Sequence, residues 1–442
     1  MLRRNVLAAA AAMLLGVTAA SCGGDDGGGS GGSGSGASGS GSGGQVVKNA
    51  KVIDLASMDG AKGKVTYCTG KDTTGETKEW SKQFNAKYKA QGLRVEILEF
   101  PASADEQRQQ FVQRQEARAA DCDVFRSDVI WTAEFASQNW LYDLTPYVER
   151  IKDRFLAPAL ETATFDGRIW GVPSYTNAAL LYYRTDKVSR PPETWQDLYS
   201  QAADRGGIVF QGAAYEGLTC DWLELAFAAG GSVLSEDGTK ATIDSPQNVA
   251  ATKLMVDAVR NGAAPRAVST YMEPESLAAW QTGRYAFMRN WPYAYGLSQD
   301  TDKLTGKFDV APLPAFEGAG RASILGGGNS VISVHSKNPG GALAVVDFLA
   351  SQDWQTTLTA EFSQMSPMKA TYDQPEVKKA IPFSEEIRKA IEQARARPVS
   401  PVYPQISQAI YDNVNEALAG RRSPEDAMKR AQSQIERALS TF

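Results

Sequence analysis

The sequence predicts a mixed α/β protein of two domains, and three observations carry this prediction. The chain has 442 residues, which suits two domains at roughly 100–200 residues each. Hydrophobic residues make up 43% of it and charged residues 22%, as in ordinary globular proteins. Apolar runs of strand length alternate with amphipathic stretches, a pattern typical of strand–helix units that share a parallel sheet.

The first five elements are predicted between residues 63 and 128. Strands are predicted at 63–70, 93–100 and 122–128, and helices at 77–88 and 104–120. Asp128 then ends the third strand, just before a helix predicted to open within 131–140. A carboxylate buried without a partner is strongly destabilising, whereas ligands bind outside the carboxyl ends of strands in open α/β sheets. Asp128 is therefore predicted to face a cleft.

The remaining elements continue the alternation and end in helices. A strand-rich segment at 169–186 precedes a helix at 191–206, whose paired prolines suit a helix start. Residues 325–351 read as a glycine-rich entry, a strand, a turn at Asn338-Pro339 and an apolar helix. The last hundred residues are predicted to be mostly helical, with a final helix at 423–439 capped by Ser423.

The N-terminus has the features of a secretory signal. Arg3 and Arg4 precede an apolar run that is too short to cross a bilayer, so residues 1–21 are predicted to be a signal peptide. Cys22 follows small residues in a pattern that resembles the bacterial lipoprotein cleavage box. We therefore predict lipidation of Cys22, with residues 22–61 as a Gly/Ser-rich tether. The alternative is an ordinary cleavable signal with an incidental cysteine. Either way the protein is expected to be exported, and lipidation would anchor it to the outer face of the cytoplasmic membrane.

The sequence lacks the residues that nucleic-acid binding, metal binding and several kinds of catalysis require. The net charge of −5 gives no basic footprint for nucleic acid, and His335 is the only histidine, so no metal site is expected. No Gly-x-Ser-x-Gly elbow follows a predicted strand, and the TGKDTTG stretch fails the phosphate-loop spacing. We expect no catalytic residue and no cofactor. Cys68 and Cys122 could form a disulfide, or both could stay reduced together with Cys220.

Aromatic side chains recur beside carboxylates, amides and arginines near the ends of predicted elements. The set comprises Asp128 with Trp131, Tyr175 with Asn177, Tyr182 and Tyr183, Tyr215 with Glu216, and the FMRNWPYAYG stretch at 287–296. Flat rings cover the apolar faces of a sugar, and carboxylates and amides satisfy its hydroxyls. Core packing is the alternative for each ring alone. The set as a whole favours a pocket for a small polar ligand.

The ordered motifs DVFRSDVIW, GVPSYTNAALLYYRTD, PPETWQDL, AFMRNWPYAY, DVAPLP and RPVSPVYPQIS resemble the family 1 extracellular solute-binding proteins of ABC importers. The similarity spans nearly all of residues 62 to 442 and is greatest to the trehalose/maltose-binding branch. It implies a type II periplasmic-binding-protein (Venus flytrap) fold with a hinge and discontinuous domains. The N-terminal lobe would comprise 62–176 plus 327–370, and the C-terminal lobe 177–326 plus 371–442. The implied partners are permease subunits with a cytoplasmic ATPase, and the protein itself is expected to be a monomer.

The resemblance also implies a set of ligand-binding positions. They are Lys71, Asp72, Ser103, Arg108, Asp128, Asn177, Trp291, Gly327, Gly328 and Arg397. Further candidates are Tyr215 and Glu216 from the aromatic–polar set, and Glu273; either acid could instead be a solvated surface group. Two positions depart from the family. Asn177 stands where many disaccharide binders have aspartate, and Gly328 stands where many have tryptophan, which would remove one stacking wall.

The expected function is capture of a disaccharide, trehalose or maltose-like, in a cleft that closes by a hinge motion, followed by delivery to a permease. Another oligosaccharide, a polyol or a glycerophosphodiester is the alternative, because Lys71, Arg108 and Arg397 could hold a phosphate. A glycoside hydrolase would need two carboxylates about 5–9.5 Å apart. Asp128 with Glu216 or Glu273 could form such a pair.

Overall fold

The structure is a computed structural model, and it describes residues 47–441. Its strands are β1 Gly63–Gly70, β2 Leu93–Phe100, β3 Val124–Asp128, β4 Thr164–Phe165, β5 Arg168–Ile169, β6 Gly171–Ala178, β7 Leu180–Arg184, β8 Ile208–Val209, β9 Phe287–Asn290, β10 Phe308–Pro312 and β11 Leu325–Ile332. Within this part of the chain, a five-stranded sheet has the order β2-β1-β3-β11-β6 and a four-stranded sheet the order β10-β7-β9-β8. Strands β4 and β5 form a short hairpin.

Helices cover both sheets. They are α1 Glu76–Lys87, α2 Ala104–Glu116, α3 Thr132–Ser137, α4 Thr145–Val148, α5 Ala157–Thr162, α6 Trp195–Arg205, α7 Glu216–Ala228, α8 Pro246–Arg260, α9 Glu273–Gln281, α10 Ala294–Gln299, α11 Pro339–Leu349, α12 Gln352–Phe362, α13 Pro375–Ala380, α14 Ser384–Gln393, α15 Tyr403–Leu418 and α16 Pro424–Leu439. Short 3-10 turns lie at Leu55–Met58, Lys89–Gln91, Lys152–Arg154, Arg266–Thr270 and Lys369–Asp373.

Sequence pattern explains the first strand–helix–strand unit. Strand β1 pairs in parallel with both β2 and β3, as the alternation of strands and helices predicts. In β2 the apolar Leu93 and Val95 are buried while Arg94 and Glu96 are exposed. In α1 the buried Trp80 and Phe84 lie four residues apart, on the helix face that packs against the sheet.

Each large sheet has its own apolar core. The first sheet buries clusters that contain Trp80 and Phe84 on one side and the stacked rings of Phe111 and Phe125 on the other. The second sheet buries a larger cluster that extends into α14, α15 and α16. We call the bodies around the two sheets the first lobe and the second lobe.

The chain passes from the first sheet to the second between β6 and β7 and returns between β10 and β11. Strand β11 pairs antiparallel with both β3 and β6, so it lies inside the first sheet. The predicted boundaries at 176/177 and 326/327 fall within β6 and β11, and the division into lobe residues stays a prediction. The glycine-rich stretch expected to precede this strand forms part of it.

The predicted tether is too long at its C-terminal end, because residues 47–61 pack on the first lobe. The Val47 N–H donates to Asp166 Oδ2 at 2.6 Å, and the Ile53 N–H donates to the Asp143 carbonyl at 3.0 Å. Val47 and Ile53 are each only 4% exposed. Burial of these apolar side chains stabilises the packing of this segment on the first lobe. The predicted signal peptide, Cys22 and residues 23–46 lie outside the described residues. None of the helices in the described part is long and apolar enough to cross a bilayer.

The three cysteines in residues 47–441 divide into a pair and a single thiol. Cys68 in β1 and Cys122 just before β3 form a disulfide, with a Cα–Cα distance of 5.9 Å. Cys220 on α7 is free and buried. The bridge therefore links two neighbouring strands of the first lobe, as the sequence allowed.

Candidate ligand-binding site

A cavity of about 230 Å³ lies between residues of the two lobes. The first lobe contributes the β1–α1 loop, the start of α2, the end of β3, and β6 with β11. The second lobe contributes the N-terminal turns of α7 and α9 and the segment after β9. Arg397, between α14 and α15, completes the wall.

Most of the sequence-predicted residues meet at this cavity. Those that line it are Lys71, Asp128, Asn177, Tyr215, Glu216, Glu273, Trp291, Gly327 and Arg397. They come from parts of the chain more than three hundred residues apart, brought together because the chain crosses repeatedly between the lobes. Asp72, Ser103, Arg108 and Gly328 do not line it.

Two of these four residues cap helices. Asp72 Oδ1 accepts from the Thr74 and Gly75 N–H groups, and Oδ2 accepts from the Thr77 N–H at 2.9 Å. Its carboxylate therefore serves the start of α1, where helix N–H groups lack intrahelical partners. Ser103 is the N-cap of α2, and its hydroxyl accepts from the Glu106 N–H.

The other two, Arg108 and Gly328, also contact neighbouring side chains of the first lobe. Arg108 pairs with Glu134, with Nε 2.7 Å from Oε2, so its guanidinium is neutralised within the first lobe. Gly328 sits in β11 opposite Asp128. A Cβ at Gly328 would lie 2.5 Å from Tyr175 Cε1, so the tyrosine ring occupies the space that a side chain there would need.

Asp128 lies at the carboxyl end of β3 and faces the cavity, as the sequence predicts. Its Oδ1 accepts from Arg397 Nη2 at 2.7 Å and from the Ile130 N–H at 3.2 Å. Its side chain keeps 23% of its exposure, whereas that of Arg397 keeps 2%. The cost of placing the carboxylate here is offset by a buried cation and by access to the cleft.

Arg397 also binds Glu216, at the first position of α7. Its Nη1 donates to Glu216 Oε1 at 2.7 Å, and the Tyr403 hydroxyl donates to the same oxygen at 2.6 Å. The Ser407 hydroxyl donates to Oε2 at 2.5 Å. Burial raises the pKa of Glu216 to about 7, against the opposing effect of Arg397. One guanidinium thus bridges a first-lobe carboxylate and a second-lobe carboxylate.

Trp291 forms an aromatic wall on the second-lobe side. Its Nε1 donates to Glu273 Oε1 at 3.3 Å, and the Tyr215 hydroxyl donates to Glu273 Oε2 at 2.6 Å. The Arg289 guanidinium lies 4.2 Å from the Trp291 ring centroid and pairs with the buried Asp221. Because Arg289 does not line the cavity, it fixes the indole from outside the site.

Tyr175 forms the corresponding wall on the first-lobe side. The Arg126 guanidinium lies 4.2 Å from its ring centroid and pairs with Glu76. Sequence reasoning placed Tyr175 in the aromatic–polar set without giving it a site role, and it missed Arg126. Arg126 lies two residues before Asp128 in β3, so the two-residue period of strands could have identified it on the same face.

Asn177 leaves one polar atom unsatisfied. The residue is only 6% exposed, it lines the cavity, and its Oδ1 has no hydrogen-bond partner among the described residues. Buried polar atoms almost always have partners, so this oxygen is available to a donor from a ligand. No cluster of histidine, cysteine or carboxylate residues in the described part is arranged to hold a metal ion. The arrangement can therefore bind hydroxyl groups between two aromatic faces.

Comparison with known proteins gives concordant matches. The sequence profile of a family described as bacterial extracellular solute-binding protein matches residues 70–356. A probable ABC transporter-binding protein of Deinococcus radiodurans is 33% identical over 395 residues, covering 84% of this chain and 93% of that protein.

Solved structures agree with these matches. Maltose-bound MalE3 of T. maritima has a TM-score of 0.81 and 36% identity, covering 84% of this chain and 99% of that one. A solute-binding protein of Thermotoga lettingae bound with α-D-tagatose has a TM-score of 0.78 and 25% identity, covering 85% of this chain and 99% of that one. The two-lobed α/β fold is that of these structures.

Proposed function

Because the chain belongs to the bacterial extracellular solute-binding protein family, we propose that it captures a disaccharide, trehalose or maltose-like, for an ABC importer. As a family member it is a solute-binding protein and not an enzyme. The sugar would occupy the cavity between the lobes and be delivered to the permease subunits. In this proposal the protein is exported as a monomer and Cys22 anchors it to the membrane through a lipid.

The observation that carries the proposal is the pair of aromatic walls, one in each lobe. Tyr175 and Trp291 both line the cavity, and each has an ion-paired arginine against its ring. A pyranose ring has two apolar faces, which such walls can cover. Asp128 and the unpaired Asn177 Oδ1 lie in the same cavity and can accept from sugar hydroxyls.

The charged groups support a neutral ligand over a phosphodiester. Arg126 and Arg397 line the cavity but are ion-paired with carboxylates, and Arg108 is paired outside it. Lys71 is the one cation in the wall, among the described residues, without a salt bridge. A phosphodiester would need several unpaired cations, so a glycerophosphodiester is the weaker candidate.

A small sugar or polyol is the second candidate. The relative from T. lettingae was solved with a monosaccharide bound, and the cavity here has a volume of about 230 Å³. A hydrolase is not supported, because the carboxylates that could have formed its pair already have partners. Asp128 and Glu216 share Arg397, and Glu273 accepts from Tyr215 and Trp291.

Calorimetric titration of the purified protein, after unfolding and refolding to remove carried-over solute, tests the proposal. The panel is trehalose, maltose, tagatose, mannitol and glycerophosphocholine. We expect a disaccharide to bind, with affinity falling about 10-fold or more in Trp291→Ala and in Asn177→Ala and largely retained in Trp291→Phe. Binding of mannitol or tagatose alone by the folded protein would reject the disaccharide and leave the small-solute candidate.

A further inference from the structure

The N-terminus of α7 lacks a cap from its own lobe. The helix begins at Glu216, and Tyr215, in the N-cap position, makes no side-chain hydrogen bond to the helix backbone. The first N–H groups of a helix have no intrahelical acceptor, and this helix is buried along its whole length. Its first N–H groups therefore need acceptors from elsewhere.

The acceptor comes from the other lobe. Asp105 Oδ2 accepts from the Glu216 N–H at 3.0 Å. Asp105 is the second residue of α2, whose buried Phe111 packs in the core of the first sheet. Helix α7 packs through Trp222 in the core of the second sheet. The hydrogen bond thus joins the two lobes through residues that are 111 positions apart in the chain.

We propose that Asp105 is an interlobe cap, a positioning residue that completes α7 when the lobes are together and so favours the closed form. This role rests on the proposed function, since it acts by retaining ligand in the cavity. Asp105 does not line the cavity, although Ala104 and Gln107 on the same helix do. Its effect would reach the ligand through Glu216 and Gly217, the first two residues of α7, which line the cavity.

The cap differs from the link that Arg397 makes between the lobes. Arg397 joins Asp128 to Glu216 inside the cavity wall, where a sugar can compete for the same atoms. The Asp105 contact uses a backbone N–H that a sugar need not displace. When the lobes separate, this N–H can donate only to water. The hydrogen bond to Asp105 therefore stabilises the closed form alone. Loss of a helix cap corresponds to about a 2- to 30-fold change in an equilibrium constant.

Hydrogen exchange at the Glu216 amide, followed by NMR in the full-length protein without added solute, tests the cap directly. We expect slow exchange in the wild type, faster exchange in Asp105→Ala, and recovery in Asp105→Asn, because an amide oxygen also caps helices. Ser423→Ala is the matched control, since Ser423 caps α16 within one lobe through the Asp426 N–H.

Dissociation of the saccharide that binds most tightly gives the second readout. We expect a rate about 2- to 30-fold higher in Asp105→Ala, with Asp105→Asn and Ser423→Ala close to wild type. Equal exchange of the Glu216 amide in wild type and Asp105→Ala would overturn the proposal. If Asp105→Ala does not fold, unprotected exchange in the wild type would overturn it equally. Failure of every saccharide to bind would reject the proposed function alone, because exchange is read without solute.

Discussion

Gly328 shows how one missing side chain reorganises the site. The sequence interpretation was that this glycine removes a stacking wall, but the Tyr175 ring from the neighbouring strand lies where a Gly328 side chain would be. Its packing against Arg126 holds it there. The aromatic surface is therefore moved from β11 to β6 rather than removed.

Replacing Gly328 with alanine should lower sugar affinity. The new Cβ would lie 2.5 Å from Tyr175 Cε1, closer than any stable contact, and a rigid ring must move away as a whole. We expect affinity to fall about 2- to 10-fold, as for the loss of one aromatic contact, in calorimetric titration. Gly320→Ala is the control, because its Cβ would meet only the Ala228 carbonyl at 3.6 Å. Unchanged affinity in Gly328→Ala would remove Tyr175 from the ligand contacts.

Glu216 should make stability fall with rising pH. Burial raises its pKa from 4.5 to about 7, so the folded protein holds a proton that the unfolded chain has lost between these values. The unfolding free energy then decreases from about pH 4.5 to 7, by on the order of 3 kcal/mol, and the loss is complete above pH 7. The groups that face this carboxyl are Arg397, Asp128, Asp105, Cys220, Tyr403 and Ser407.

Chemical denaturation of wild type and Glu216→Gln at several pH values between 4.5 and 8 measures this effect. The variant has no carboxyl to ionise, so its stability should lack the decrease attributed to Glu216. Glu425→Gln, at an exposed position of α16, controls for the change in net charge. Parallel pH profiles for wild type and Glu216→Gln would contradict the prediction.

At the scale of elements, the local sequence pattern predicted the bounds of strands better than the contacts of individual side chains. Strands β1 and β2 have the bounds that the sequence indicates, because alternation and turn residues act locally. Lys71 and Asp72 were predicted together, yet only Lys71 lines the cavity, since nearby backbone N–H groups engage Asp72. The contact between Asp105 and Glu216 joins separate lobes, so no local sequence pattern predicts it.

The disulfide between β1 and the start of β3 should stabilise the first lobe without affecting the ligand. Cys68 and Cys122 are 54 residues apart and do not line the cavity. Crosslinks of this kind typically contribute about 2–4 kcal/mol, mainly by constraining the unfolded chain. Guanidinium unfolding of the Cys68→Ala/Cys122→Ala double variant should show this loss, with sugar affinity retained. Cys220→Ala serves as the control for a buried cysteine outside the bridge. Loss of sugar affinity in a folded double variant would contradict the separation of the two regions.

At the scale of the whole molecule, closure should shield Cys220. This thiol lines the cavity on α7 and is 3% exposed, so reagents reach it when the lobes part. A solute that favours the closed form should slow its alkylation by iodoacetamide, by about 10-fold at saturation. Mass spectrometry of the Cys220 peptide with and without the bound sugar measures the rate. An unchanged rate at saturating sugar would mean that binding does not depend on closure.

The position of β11 has a further consequence, for the order in which the protein acquires its structure. This strand lies between β3 and β6, but the ribosome makes it after β7 to β10 are complete. Until residue 332 emerges, β3 and β6 have no common neighbour, and pairing them requires closure of a long loop. Strand β1 can pair with β2 and β3 as soon as these are made, but the five-stranded sheet cannot be completed until β11 has been synthesised.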